Sequence, residues 1–279
     1  MDWWQYLIEW AIKSLVLIFA LLGGFAYLTW YERKLLARMQ VRYGPNRAGW
    51  FGLLQPIADA IKLIFKEELI PDKAERFMFI LAPILTVIPA VVITATVPWG
   101  TDIPLNAIGI PYTIKPYIAD INVGALYITA IASIAVYGIV LAGWSSDNKF
   151  AILGSLRSTA QMLSYELSLG LSLVVVILMT GSMNMIQIVE SQRVALLNLG
   201  IFQIPQWNVL VQPVAMSIFM IATLAELNRA PFDMPEAEQE LVAGYHTEYS
   251  GMKFALFFMA EYIKMIAISA IAATLIFGG

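Results

Sequence analysis

The chain has 279 residues, of which 59% are hydrophobic and 13% charged, with a formal net charge of −3 and a mean hydropathy of +0.73. This balance excludes an ordinary soluble domain and predicts an integral membrane protein. The sequence has no cysteine, which excludes disulfides and cysteine-ligated zinc or iron–sulfur clusters. Its single histidine, His246, cannot form a metal site alone, and neither a GxGxxG nor a GxxxxGK[ST] nucleotide motif is present. We therefore expect no metal, FMN or iron–sulfur cluster on this chain, any redox cofactor on a partner protein, and no nucleic-acid partner.

Six apolar runs are long enough to cross the hydrocarbon core of a membrane, which takes about 20 helical residues. They predict an all-α membrane protein with about six transmembrane helices in a single domain. The first run opens near Asp2 and Glu9 without a small-residue cleavage site, so we expect a retained helix and not a removed signal peptide. The predicted spans lie near 8–30, 77–98, 123–143, 159–180, 209–227 and 254–276.

The distribution of lysine and arginine predicts the orientation, because positively charged loops stay in the cytoplasm. Thirteen of these residues lie in linkers 31–76, 144–158 and 228–253, against two in linkers 99–122 and 181–208. The first three linkers are therefore predicted to be cytoplasmic. The N-terminus is predicted to lie on the periplasmic side of the plasma (inner) membrane.

A shorter amphipathic segment lies within the first cytoplasmic linker. It is too short to span, and its spacing suits either a helix lying in the membrane interface on the cytoplasmic side or a docked helix with ordinary solvated charges. Its apolar face carries Leu54, Ile57, Ile61, Ile64 and Phe65, and its opposite face carries Asp59, Lys62 and Lys66.

Two acids are predicted to lie inside the membrane. Glu166 falls about seven residues into the fourth span and Glu261 about eight into the sixth, each roughly 10–12 Å below the cytoplasmic end of its helix. An ionisable group at such a depth is costly and normally marks a functional site. Lys264 follows Glu261 by three residues and could pair with it on the same face, whereas no basic residue lies near Glu166 in the sequence.

The third cytoplasmic linker, 228–253, is unusually acidic and follows Glu226 at the end of the fifth span. Pro235 is placed to start a short helix that Gly244 could end, and on that helix Glu236 and Glu240 would share one face. Closely spaced acids that are partly desolvated acquire raised, coupled pKa values, as proton carriers require. The linker is therefore either the mouth of a proton-conducting chain or a solvated acidic loop. The acids stop about halfway across the membrane, so this chain would have to pass charge or a conformational signal to a neighbour.

Three segments carry a resemblance to a known family. They are "YERKLLARMQVRYGPNRAGWFGLLQPIADAIKLIFKE" (31–67), "GWSSDNKFAILGSLRSTAQMLSYE" (143–166) and "AELNRAPFDMPEAEQELVAGYHTEYSGMKFALFFMAEY" (225–262). They resemble the H subunit of the bacterial proton-pumping NADH:quinone oxidoreductase, respiratory complex I, the counterpart of the first mitochondrially encoded core subunit. The resemblance covers nearly the whole chain.

The resemblance implies a membrane-arm subunit whose cytoplasmic loops enclose part of a quinone chamber. Its implied partners are the peripheral-arm subunits of the quinone site, including the one with the terminal iron–sulfur cluster, the small and antiporter-like membrane-arm subunits, and the lipid membrane. Quinone is the implied substrate. A quinone tail needs an apolar path, and arginine stabilises the anionic charge that develops on reduction. The implied chamber-side residues are Glu32, Arg33, Gln40, Arg42, Asp59 and Phe232.

The resemblance also implies a chain of acids that couples quinone reduction to proton movement. This chain includes the acids singled out above on physical grounds. Its implied members are Glu166, Glu226, Glu236, Glu238, Glu240, Glu248 and Glu261.

The sequence departs from the family pattern after its sixth predicted span, at "LIFGG". Family members usually continue through two more spans with a basic segment carrying an Asp-Gln pair between them. These two C-terminal helices are not present in this sequence, whether because the sequence is partial, the gene is split or the lineage is shorter.

Other functions stay open from the sequence. The equivalent subunit of a ferredoxin-fed photosynthetic-type complex would share almost every motif, and that of an energy-converting membrane hydrogenase would share fewer. An independent transporter would predict inverted repeats and broken helices, which we do not find in the sequence. A structural anchor would have no need of Glu166 or Glu261.

Overall fold

The computed structural model describes residues 3–104, 113–198, 203–234 and 238–279. Among these residues, five helices are long and apolar enough to cross a membrane, which together with shorter apolar helices confirms the prediction of an all-α membrane protein. Two short antiparallel ribbons, β1 (Ile103–Pro104) with β2 (Thr113–Ile114) and β3 (Ala195–Asn198) with β4 (Gln203–Pro205), lie between helices. The helices are α1 (Trp3–Met39), α2 (Gln55–Ile64), α3 (Arg76–Ile93), α4 (Gly124–Ser145), α5 (Lys149–Thr180), α6 (Met185–Gln192), α7 (Asn208–Val211), α8 (Pro213–Glu226), α9 (Glu238–Leu241) and α10 (Gly251–Ile276).

The fifth predicted span is shorter than expected. Residues 209–227 were predicted as one helix, but the chain forms α7 and then α8, with a break at Gln212, whose φ is −131°. Pro213 begins α8, where a missing backbone N–H costs nothing, and its ring prevents the helix from continuing backwards. The 14 residues of α8 extend about 21 Å, less than the roughly 30 Å of a hydrocarbon core.

Helix α5 is longer than predicted and begins at Lys149, ten residues before the predicted start at 159. Asn148 caps it, because its side-chain oxygen accepts a hydrogen bond from the backbone N–H of Phe150 at 2.9 Å. Hydropathy missed this first part because it carries polar residues, including Arg157. It continues α5 beyond the apolar run and brings Arg157 close to the acidic linker.

The core lies where α3, α4, α5, α8 and α10 meet. Gly138 allows α3 and α4 to approach closely, because a Cβ there would lie 2.9 Å from the carbonyl oxygen of Ala82. Helix α1 packs mainly against α10 and leaves most of its apolar surface exposed; its buried residues are Leu21 and Ala37. The main buried cluster includes Ile93, Ile128, Leu173, Phe219, Ile271 and Leu275.

One end of the bundle carries the segments 40–75, 146–148, 227–234 and 238–250, and we call it the charged end. These segments contact one another there: the backbone N–H of Leu69 donates to Ser250, and Asn148 donates to Glu248. The amphipathic segment forms α2 at this end, with Pro56 in its first turn and no buried residue. The arrangement brings the polar loops over the tops of α1, α8 and α10.

Candidate functional site

Five ionisable side chains of alternating sign follow one another near the charged end, from α8 across α10 to α1, in two ion-paired groups: Glu226 with Lys264, and Arg229 with Glu261 and Glu32. The two groups meet at one small cavity, which Glu226, Lys264 and Glu261 line. The five comprise three carboxylates and two cations. We call this set the charge row and define it by Glu226, Lys264, Glu261, Arg229 and Glu32.

Arg229 joins two acids from different helices. Its Nη1 lies 2.8 Å from Oε1 of Glu32 on α1, and its Nε lies 2.5 Å from Oε1 of Glu261 on α10. The Nε–H is not aligned for a hydrogen bond, so the second contact is an ion pair only. Burial alone would lower the pKa of Arg229, but the negative charges of Glu261 and Glu32 raise it by more than burial lowers it. The pKa of Arg229 therefore lies above its ordinary value. The guanidinium therefore stays charged.

Tyr262 contacts both Glu32 and Arg229 of the charge row. Its hydroxyl lies 2.5 Å from the second carboxylate oxygen of Glu32, to which it donates. Its ring lies under the Arg229 guanidinium, whose central carbon is 4.8 Å from the ring centre. The carboxylate of Glu32 thus accepts one hydrogen bond from Arg229 and one from Tyr262.

The turn after α8 holds Arg229 in place. Asn228 has a φ of 51°, a left-handed conformation that asparagine tolerates and that ends the helix. The side-chain amide of Gln161 on α5 lies 2.9 Å from the carbonyl oxygen of Ala225 and 2.8 Å from that of Phe232. These bonds fasten both sides of the turn to α5, so Arg229 projects between α1 and α10.

Glu226 and Lys264 form the most deeply buried ion pair of the row. Their side chains are 8% and 10% exposed, and Lys264 Nζ lies 2.8 Å from Oε1 of Glu226. The same Nζ lies 3.4 Å from the backbone oxygen of Glu226. Two opposite charges withdrawn from water in this way are strongly coupled, because removing one would leave the other buried and unpaired.

The pair of Lys264 with Glu261, which the sequence left possible, does not form in this structure. Spacing on α10 permits it, but Arg229 reaches Glu261 from the turn after α8, and Glu226 faces Lys264 from α8 itself. Contacts between helices decided the pairing, and helical spacing alone does not contain them.

Two small cavities flank the Glu226–Lys264 pair. The first, of about 50 Å³, is also lined by Asn228, Tyr245 and Glu261. It is roomy and polar enough for water, which needs about 10–15 Å³ and two or more polar partners. The second, of about 30 Å³, has an apolar lining apart from this pair and two threonines, Thr129 and Thr223. The pair separates a polar space from an apolar one.

Glu166 lies apart from the charge row. It is half-buried on α5 and accepts a short hydrogen bond from Ser133 on α4. The hydroxyl of Ser133 is also 3.0 Å from the carbonyl oxygen of Thr129, which lines the second cavity. Ser133 thus joins Glu166 to the turn of α4 that contributes Thr129 to the second cavity.

The acids of the third linker lie at the surface where they can be described. Glu240 is exposed and pairs with Arg157 at 2.7 Å, and Glu248 accepts from Asn148 at 2.6 Å. Glu236 and the side chain of Glu238 lie outside the described residues. The described part of the predicted 235–244 helix is α9, which ends at Leu241, because the φ of 68° at Val242 interrupts it before Gly244.

An apolar groove of about 500 Å³ lies between α1, α2 and α10, and we call it the α1–α10 groove. The Arg33–Asp59 ion pair, at 2.5 Å, lines it and joins α1 to α2. Gln55 also donates to Asp59, at 2.9 Å. Glu32 of the charge row precedes Arg33 in α1. The apolar residues lining the groove include Leu22, Phe25, Leu63, Phe254, Phe258 and Met259.

The other predicted chamber residues lie at separate places. Arg42 donates to Gln40 at 2.7 Å, and Arg42 lines a basic cleft of about 490 Å³ with Lys34 and Arg38. Phe232 lies in the turn after α8 and packs edge-on against Tyr165, with ring centres 5.2 Å apart. The structure therefore brings Arg33 and Asp59 together, Gln40 and Arg42 together, Glu32 into the charge row, and Phe232 into the turn that carries Arg229.

His246 is buried among aromatic rings in the turn Gly244–His246. Phe254 and Phe258 lie with ring centres 5.5 and 6.0 Å from its imidazole. Burial lowers the pKa of His246 to about 4. The imidazole is therefore neutral at physiological pH.

Sequence reasoning missed Arg229, Tyr262 and Gln161 as parts of the site. An arginine three residues after a helix-ending glutamate was the available signal for Arg229, and a tyrosine next to an intramembrane acid was the signal for Tyr262. Nothing in the sequence indicated that Gln161 would bind the turn after α8.

Comparisons with known proteins give a consistent similarity. The profile of a family described as NADH dehydrogenase matches residues 12–279. The NADH-quinone oxidoreductase H subunit of Thermomicrobium roseum is 52% identical, over 100% of this chain and 80% of the relative. An H subunit of Geobacter metallireducens is 48% identical, over 98% of this chain and 78% of the relative. The H subunit of Rickettsia bellii is also 48% identical, over 96% and 73%.

Proposed function

The chain belongs to the NADH dehydrogenase family, and we propose that it is the membrane subunit of a proton-translocating NADH:quinone oxidoreductase that forms part of the quinone chamber and couples quinone reduction to proton movement. The observation that carries the proposal is the charge row, which extends from the buried pair between α8 and α10 to Glu32, the residue that precedes the groove residue Arg33 in α1. A row that starts beside an apolar groove and ends inside the bundle suits an energy-coupling subunit.

The α1–α10 groove supports the part of the proposal that concerns quinone. Its lining is overwhelmingly apolar, as the tail of a quinone requires, and its charged members Arg33 and Asp59 neutralise each other. We propose that Arg42 acts on the headgroup, because its guanidinium is exposed and engages an uncharged glutamine. A guanidinium stabilises the negative charge that develops when the quinone is reduced.

The charge row supports the part that concerns protons. Glu226, Glu261 and Glu32 are each within reach of a cation, so each can exist as a carboxylate in a largely buried position. Arrival of a proton at one of them changes the charge balance of the whole row. Glu166 on α5, which accepts a hydrogen bond from Ser133 on α4, is a further proton acceptor in this proposal. We propose that Glu240 and Glu248, with Glu236 and Glu238, supply the row from the cytoplasmic side.

In this proposal the chain carries no redox centre, and its partners deliver the electrons. The peripheral-arm subunits of the quinone site, including the one with the terminal iron–sulfur cluster, cover the charged end. The other membrane-arm subunits, small and antiporter-like, contact the exposed apolar surfaces. The chain lies in the plasma (inner) membrane with the charged end in the cytoplasm.

The test is to isolate the tagged chain gently from its native membranes and to assay the material for quinone reduction. NADH, reduced ferredoxin and hydrogen are offered as separate donors. The proposal predicts a large assembly that reduces quinone with NADH. Activity with ferredoxin or hydrogen alone would assign the chain to a sister complex, and a chain that isolates intact and alone would refute the proposal.

A further inference from the structure

Lys264 is the member of the charge row for which the proposed function gives no role. It is buried, pairs with Glu226, and lines the same cavity as Glu226 and Glu261. We propose that Lys264 is a positioning residue that shares its positive charge between Glu226 and Glu261, so that protonation of Glu226 is transmitted to Arg229 and Glu32. The inference rests on the proposed function, because it assumes that protons reach Glu226 during turnover.

The side chain of Lys264 is long enough to serve both Glu226 and Glu261. Lys264 contacts Glu226 across the helix interface at 2.8 Å, and Glu261 lies three residues earlier on the same helix. Side chains three positions apart on a helix are neighbours, with about 5–6 Å between their Cβ atoms. The four-carbon stem of a lysine rotates freely enough to move its ammonium between two such acceptors.

A cavity beside Lys264 gives its ammonium space to move. All three side chains line the same cavity of about 50 Å³, so the ammonium has somewhere to move and water can follow it. Tyr245 is the other titratable group on that lining. The helices packed on the other sides contribute uncharged residues, among them Thr86 from α3, Ala135 and Ile139 from α4 and Met162 from α5. The two carboxylates are thus the charged groups that the ammonium faces in this cavity.

The charges of the row do not cancel. The row holds three carboxylates against two cations, so one negative charge is shared along it. A proton that binds the carboxylate of Glu226 makes it a neutral carboxylic acid and leaves the Lys264 ammonium without its counter-ion. A buried, unpaired cation is costly, and the nearest remaining carboxylate is Glu261. The ammonium keeps its own protons throughout, so the step moves one proton and one cation.

A shift of Lys264 to Glu261 would also change the charges next to the α1–α10 groove. When Lys264 pairs with Glu261, that carboxylate needs Arg229 less, and Arg229 can pair with Glu32 alone. Glu32 adjoins Arg33, whose ion pair with Asp59 lines the α1–α10 groove. Lys264 therefore links the protonation of an acid inside the bundle to the charges beside the proposed quinone path.

The experiment uses the whole complex with four variants: Lys264→Met, Lys264→Arg, Glu226→Gln and the double variant Glu226→Gln/Lys264→Met. Electron transfer from NADH to a soluble acceptor that bypasses quinone counts the assembled complex in each case. The measured quantities are quinone reduction, protons pumped per NADH oxidised, and the infrared band of protonated carboxyl groups before and after reduction by NADH.

The proposal predicts that Lys264→Met lowers coupled pumping by roughly tenfold or more, and that Lys264→Arg keeps most of it because the cation remains. In Lys264→Met, Glu226 takes up a proton without its counter-ion, so its carboxyl band is present before reduction. The double variant assembles, because no buried charge is left unpaired, but it does not pump.

A purely structural ion pair makes a different prediction. It would let the double variant pump like the wild type, and this outcome would overturn the inference even if Lys264→Met alone failed to assemble. Normal pumping in Lys264→Met, or an infrared difference spectrum identical to that of the wild type, would overturn it too. If Glu226→Gln pumps poorly while Lys264→Met pumps normally, the inference fails and the proposed function stands. If Glu226→Gln pumps normally, the proton-coupling part of the proposed function fails.

Discussion

Lys264 Nζ lies 2.8 Å from Oε1 of Glu226, a residue 38 positions earlier in the chain, although Glu261 precedes Lys264 by only three. The acids inside the bundle therefore obtain their counter-ions from other elements. Ion pairs thus join α8 and the turn after it to α10 and α1. Protonation of one acid therefore affects contacts on two helices.

Removing the Arg229 guanidinium should destabilise the assembled subunit. Breaking a fully buried pair costs about 3–5 kcal/mol. The side chains here are 20–31% exposed, so we expect about 1–3 kcal/mol for Arg229→Gln. Arg229→Lys should lie in between, because one ammonium cannot reproduce a fork that reaches both Glu32 and Glu261. Thermal melting of the purified complex measures this.

Arg157→Gln is the matched control for Arg229. It breaks the Arg157–Glu240 pair, whose side chains are 42% and 66% exposed, and should leave the melting temperature nearly unchanged. Equal losses in the two variants would show that the position of Arg229 in the charge row has no special importance for stability.

Arg42→Ala should impair the reaction with quinone more than assembly. Its guanidinium is exposed and engages Gln40, so its loss creates no buried unpaired charge. We expect the KM for quinone to rise roughly threefold to tenfold. Steady-state kinetics with NADH as donor measure this, and Arg193→Ala, an exposed arginine at the other end of the bundle, serves as the control. Unchanged quinone kinetics would remove Arg42 from the chamber.

Filling the α1–α10 groove should discriminate between quinones by tail length. Ala255 lines the groove, and a phenylalanine there would occupy part of its volume of about 500 Å³. Ala255→Phe should slow reduction of a long-tailed quinone roughly threefold to tenfold relative to a short-tailed one. Ala130→Phe, on an exposed face of α4, should not change that ratio. An unchanged ratio in Ala255→Phe would argue against quinone passage through the groove.

His246 should make the folded subunit less stable at acidic pH. Its pKa is about 4 when folded, against 6.5 for an ordinary histidine, because burial disfavours the charged form. Between these values the unfolded chain binds the proton and the folded chain does not, so stability falls as the pH falls from 6.5 towards 4. The melting temperature of the wild type should therefore fall relative to that of His246→Phe as the pH falls over this range, and the difference between the two should stay constant above about pH 7. A difference independent of pH would contradict this.

Much of the fold followed from the sequence because apolar length is a strong signal. Five of the six predicted spans correspond to long helices, and the fifth in chain order differs at Pro213, where the chain breaks between α7 and α8. The start of α5 was missed because its first residues are polar and its cap, Asn148, resembles an ordinary loop residue. Local chemistry, not hydropathy, determines both boundaries.

The site was less predictable because its contacts are long-range. Glu226 and Glu261 could be recognised as unusual from their place in apolar runs, but their partners Lys264 and Arg229 depend on how α8 and α10 face each other. Helical spacing suggested Glu261 for Lys264, and an arginine in a loop gave no indication of which acids it would reach. Residue types indicated that charges are buried, and packing determined how they pair.

The most direct test of the account is the number of protons pumped per NADH oxidised by the purified complex in sealed vesicles, with Glu226→Gln compared with Glu190→Gln. Glu190 is an exposed acid on α6, far from the charge row. The account predicts that Glu226→Gln assembles but loses most of its pumping and quinone reduction, whereas Glu190→Gln behaves like the wild type. Normal proton pumping by Glu226→Gln would contradict the claim that the charge row couples quinone reduction to proton movement.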